Sequence, residues 1–351
     1  MKERIDSFDF MRSVTAFIIV IYHFAGICHS TPQFADFPLL YEHANGVWGE
    51  STSVNIFFML SGASLLYNHE KIQFKDLKKY YFSRFKGIFP MFYMIWLFLF
   101  YQRAAERHNL FYNGNPKSMI LTLFGMDGYL SYRFTENYYR IGEWFLGALV
   151  LLYLLYPLLT WCISHCQIIT TLILGAGTLA LHWSPSIFMI QRERNLITCL
   201  FAFWLGMMFM KHKEFFDKLW LGILAGIGAL FLLLVHIPID SFLVVQAIYI
   251  ALFLAFYTIG KYVMQIGAVT EFFRYTGKIS YAIFLLQHVV MSQVLHMFDN
   301  YELTVLHEFG LLIVTFVVIY IFAGICTYLN QAFLKTKFFQ SLQKLFIPET
   351  T

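Results

Sequence analysis

The chain has 351 residues, 59% hydrophobic and 20% aromatic, with only 13% charged and a formal net charge of +4. A soluble chain carries about a quarter charged residues, so a soluble domain is excluded, and the small, scattered positive charge offers no nucleic-acid surface. Five cysteines without CxxC spacing argue against a disulfide framework. The reading is an all-α, polytopic integral membrane protein.

Apolar runs of spanning length fall at 8–28, 52–68, 87–102, 142–163, 167–183, 195–210, 218–236, 241–260, 278–298 and 309–330, which predicts about ten transmembrane helices in one domain over 1–351. The first run is too long for a cleaved signal peptide and lacks a small-residue cleavage site. Basic residues set the orientation. Lys2 and Arg4 precede the first run, Lys71 to Lys86 crowd the second connection, and Lys335, Lys337 and Lys344 follow the last. The segments 29–51, 237–240 and 299–308 hold no Lys or Arg. Both termini are therefore expected in the cytosol, with Arg192, Arg194 and the long connection 103–141 outside. Within that connection, 118–130 reads as interfacial or re-entrant. Segment 69–86 reads as a basic amphipathic cytosolic helix or a plain positive-inside loop.

Chemistry concentrates in the first run, FDFMRSVTAFIIVIYH. Arg12 and His23 are eleven residues apart, which returns them to nearly one helix face, roughly 16 Å apart along the axis. Ionisable groups at membrane depth need a partner, a wet cavity or a function. Asp9, three residues before Arg12, can pair with it. A neutral imidazole at His23 can act as a general base, and a guanidinium at Arg12 can hold a phosphate or polarise a carbonyl. The bland alternatives are a snorkelling arginine and a satisfied interior histidine.

The second run holds Asn55 and a Ser61-Gly62 break, either a ligand approach or a small-residue packing notch. Arg84 and Lys86 stand at the cytosolic start of the third run, and Pro90 just inside it should kink the helix and open a cavity. Glu143 and Trp144 open the fourth run. The glutamate either orients His23 or is solvated, and the tryptophan is otherwise an interfacial anchor. The ninth run carries Tyr281 near its start and His288 at mid-span, the histidine being a site residue or a helix–helix hydrogen bond. No HxxxH or HExxH spacing occurs, so no metal is expected.

Taken together, Asp9-x2-Arg12-x10-His23, NIFFMLSG (55–62), SRFKGIFPMFY (83–93), EWFLGALVLLYLLYP (143–157) and GKISYAIFLLQH (277–288) resemble the acyltransferase-3 family of membrane-bound O-acyltransferases. The likeness runs from about 8 to 300. It implies transfer of an acyl group, usually acetyl from cytosolic acetyl-CoA and in some members succinyl, to a hydroxyl of an extracytoplasmic or lipid-linked glycan at the inner (plasma) membrane. His23 then carries over as the essential base, Arg12 with Asp9 as its partners, and Arg84 as a donor ligand. Lys86, Ser61, Gly62 and Tyr281 complete the expected donor site, and Glu143, Trp144, Asn55 and His288 the acceptor site. The family often has aspartate at the Asn55 position, a second arginine where Gly87 stands, and a carboxylate where Leu149 stands. The expected partners are acyl-CoA, the glycan or lipid-linked sugar, membrane lipids and further copies of the chain. The competing reading is a glycan transporter or flippase with His23, His288 and Arg12 lining a path, although no internal repeat supports it.

Overall fold

The computed structural model describes residues 3–347 apart from 36, 185, 188 and 189; Lys2, one of the expected cytosolic charges, lies outside them. Among the described residues thirteen α-helices follow one another. They are α1 Asp6–Ser30, α2 Gly49–Asn68, α3 Leu77–Glu106, α4 Met119–Leu123, α5 Glu143–His165, α6 Gln167–Ala180 and α7 Leu196–Lys211. After them come α8 Lys213–Phe216, α9 Leu219–Leu234, α10 Ser241–Val263, α11 Gly267–His296, α12 Val305–Leu334 and α13 Lys337–Phe346. Two antiparallel two-residue ladders pin connecting loops, Glu42–His43 with Gly46–Val47 and Ser186–Ile187 with Ile190–Gln191.

Each of the ten apolar runs falls within or largely within a helix. Six described helical segments are long and apolar enough to cross a bilayer: 6–30, 74–106, 143–165, 241–263, 267–296 and 305–334. Helices α6, α7 and α9 are apolar but shorter, at 14, 16 and 16 residues. The protein is thus a multi-pass membrane protein built from helices, because a helix satisfies every backbone group internally where no water is available.

Helix α1 is the hub. It packs against α2, α10, α11 and α12, and even its polar residues Ser7, Asp9, Ser13, Thr15 and His23 are buried. Aromatic contacts seal it, Phe8 against Tyr257 and Phe10 against Phe273. Small residues allow α2 and α7 to touch: a Cβ on Gly62 would stand 2.1 Å from the Phe203 carbonyl oxygen, and one on Gly206 would stand 1.9 Å from that of Met59. At the periphery, α6 and α9 expose Ile168, Leu172, Leu224 and Ile227, the pattern expected of surfaces facing lipid.

Segment 69–86 does not form a helix of its own. Residues 74–76 make one 3-10 turn, and Leu77 begins α3, which continues through Pro90 without a break. Within this segment Phe82 faces the C-terminal amphipathic helix, meeting Phe339 and Phe346.

Candidate functional site

Two polar clusters form at opposite ends of α1. At the N-terminal end, Asp9 is buried and accepts from Arg4 Nε at 2.6 Å and from Arg12 Nη1 at 3.3 Å. A buried carboxylate is costly unless paired, and two guanidinium groups supply the pairing. Arg12 Nη2 also donates to Ser64 Oγ at 2.9 Å, tying α1 to α2. Beyond it opens a cavity of about 550 Å³ lined by Arg12, Ser61, Ser64, His69, Arg84 and Tyr153 among others. Arg84 lies over the rings of Tyr80 and Tyr153, 5.8 and 5.7 Å from their centroids, so its fork is held in place. Burial, and then the charges of Arg84 and Lys79, lower the His69 imidazole from its ordinary value and so disfavour a charge there. The positive charge of this cavity therefore comes from Arg12 and Arg84, and two guanidinium groups in a polar pocket suit a phosphorylated ligand.

At the other end, His23, Glu143 and His288 converge from α1, α5 and α11. His288 Nε2 is 2.9 Å from one Glu143 carboxylate oxygen, and His23 Nε2 is 3.8 Å from the other. The imidazole rings pack with centroids 4.1 Å apart. Glu143 is the first residue of α5 and sits at φ 43°, following Gly142 at φ 92°. Glycine takes that conformation freely, whereas for glutamate it costs about 1–3 kcal/mol, and such strain persists where the surroundings impose it. It turns the carboxylate inward between two histidines. Their ligand atoms lie within 4.8 Å of one another, a spacing that a metal ion could span. The short His288–Glu143 contact accounts for the same geometry through hydrogen bonding alone.

Trp144 is buried rather than anchored at an interface. Phe58 packs 6.2 Å away and the Arg194 guanidinium lies 5.7 Å over the ring. Sequence reasoning assigned Arg194 no role. It stands in a loop without periodicity, and only the tertiary fold brings its charge to the histidine cluster. Between the two clusters runs an aromatic layer: Phe57, which lines the cavity beside Arg12, meets Phe145, and Phe145 meets Phe284 at 4.8 Å.

The expected donor residues divide. Arg84 and Ser61 line the cavity with Arg12. Lys86 turns toward α13, with Nζ 3.4 Å from Gln343 Oε1 and 5.9 Å over Phe339. Gly62 is the packing notch against α7. Tyr281 donates to the Ile88 carbonyl at 3.2 Å, in the turn before Pro90. Asn55 is fully buried in α2, and its side-chain amide has no hydrogen-bond partner among the described residues.

A bundle of apolar helices with a guanidinium-lined cavity at one end and a His–Glu–His cluster at the other defines a membrane-embedded group-transfer protein. A family model described as an acyltransferase domain matches residues 5–324, so the chain belongs to the acyltransferase-3 family. No curated protein and no solved structure matches it significantly.

Proposed function

We propose that the protein is an O-acyltransferase that moves an acyl group, acetyl from acetyl-CoA in the first instance, onto a hydroxyl of an extracytoplasmic or lipid-linked glycan. The observation that carries this reading is the pairing of His23 with Glu143 at one end of α1 and the Arg12–Arg84 cavity at the other. The protein is read as lying in the inner membrane with ten crossings and both termini in the cytosol. The donor's phosphates dock on Arg12 and Arg84. Its pantetheine arm extends past Phe57 and Phe145, and the roughly 16 Å between Arg12 and His23 matches such an arm.

His23 takes the proton of the acceptor hydroxyl as the oxygen attacks the thioester carbonyl. The positive charge that forms lies beside the Glu143 carboxylate, whose orientation the contact with His288 fixes. The C–S bond then breaks, and the leaving CoA thiolate takes up the proton that His23 had accepted, so acyl ester, free thiol and neutral His23 are the products. The Arg194 guanidinium over Trp144 is available to the developing oxyanion.

The test uses purified protein in liposomes with radiolabelled acetyl-CoA and a crude cell-envelope glycan fraction. Label should reach glycan with the wild type and be lost with His23→Ala at equal folded amounts. Label retained by the variant removes the mechanism. No label from acetyl- or succinyl-CoA removes the enzyme reading in favour of a transporter.

A further inference from the structure

The strained backbone of Glu143 needs an external hold, and the outer loop provides one. A Cβ on Gly128 would stand 2.3 Å from the Glu143 carbonyl oxygen and 2.4 Å from its carbon. The two backbones therefore touch with no side chain between them. One turn further along α5 the same close approach recurs, where a Cβ on Gly147 would meet Tyr129 Cβ at 2.5 Å. The turn that makes these contacts is itself fixed. Asp127 is buried, and its carboxylate accepts from Thr122 Oγ1 at 3.0 Å and from the Gly128 N–H at 3.1 Å. From the other side, Asn137 Nδ2 donates to the carbonyls of Asp127 and Phe134, at 3.4 and 2.6 Å.

We propose that the turn 122–129 is the positioning element of the outer site: Asp127 fixes Gly128, and Gly128 holds Glu143 in the left-handed conformation that aims its carboxylate at His288 and His23. Asp127 is a positioning residue and not a catalytic one, because its two oxygens are engaged by Thr122 and Gly128, away from the histidines. The same contact makes 118–130 part of the site's scaffold. Its consequence for catalysis rests on the acyltransferase reading, whereas its consequence for Glu143 geometry does not.

The experiment compares Gly128→Ala, Asp127→Ala and Asp127→Asn as full-length protein in nanodiscs. Electron cryomicroscopy reads the Glu143–His288 separation, and acetyl-transfer kinetics read kcat and KM. Gly128→Ala should lengthen the 2.9 Å contact beyond about 4 Å. It should also lower kcat about 30- to 100-fold, since misplacement of about 1 Å costs up to 100-fold, with KM for the acyl donor within twofold of wild type. Asp127→Ala should follow in the same direction, while Asp127→Asn, whose amide oxygen still accepts from Gly128, should restore both readouts. A retained Glu143–His288 contact in Gly128→Ala overturns the proposal. If that variant does not fold, identical behaviour of the two Asp127 variants overturns it. A wild type that transfers no acyl group defeats the acyltransferase reading alone, because the measured separation still decides this one.

Discussion

The two ends of α1 solve the same problem, charge at membrane depth, in opposite ways. At the end read as cytosolic under the proposed topology the charges are local partners: Arg4 and Arg12 both pair with Asp9 within nine residues, which leaves one net positive charge there. At the other end, read as the outer one under the same topology, the partners come from three helices, with Glu143 and His288 far from His23 in sequence. The first arrangement is robust and open, and suits holding a polyanion. The second is enclosed and strained, and suits moving a proton. Under the proposed acyltransferase function, binding and chemistry are separated along one helix, with the Phe57–Phe145–Phe284 layer between them.

The largest effect should come from the outer end. His23→Ala should lower kcat on the order of 1,000-fold, within the range of lost general-base catalysis, while acyl-CoA binding measured by calorimetry stays unchanged. Weakened CoA binding in that variant would erase the separation. Glu143→Gln keeps the shape but removes the charge opposite His23, and kcat should fall about 100-fold. At the cytosolic end, Arg84→Ala should raise KM for the acyl donor about tenfold and leave kcat within a few-fold, as loss of uniform binding does. A kcat defect without a KM change would place Arg84 in the chemistry and break the comparison.

The smallest effect concerns the loop that supports the outer end. Burial pushes the Asp127 carboxyl up to about 6, partly offset by its hydrogen bonds from Thr122 and the Gly128 amide. Its folded value therefore exceeds the unfolded one, so the folded loop holds the proton more tightly. Stability from this group is full below about pH 4 and is lost as pH rises through about 6, amounting to roughly 3 kcal/mol at most. Thermal unfolding in nanodiscs between pH 4 and 7 should show the decline, and Asp127→Asn should flatten that part of the curve.

How much of this was legible in the sequence follows from the range of the interactions. The Asp9–Arg12 pair was readable because helical spacing puts residues three apart on one face, and the apolar runs were readable because the bilayer sets their length. The lining of the cavity beside Arg12 was half legible. Arg84 and Ser61 were placed by the family likeness, but Lys86 and Tyr281 depend on which way each side of α3 and α11 faces, and α13, which takes Lys86, carries no motif. Trp144 looked like an interfacial anchor because an isolated helix end gives no sign of Arg194 folding over it.

The solvent, the helices, the pairing at the start of α1 and the family follow from the amino-acid order alone, since each depends on composition or on spacing within one segment. That His23, Glu143 and His288 meet, that Arg194 covers Trp144, and that Gly128 presses on Glu143 emerges once the helices are packed. Those contacts join residues far apart in the chain, and in the last case through backbone alone, where no side-chain pattern exists to be read.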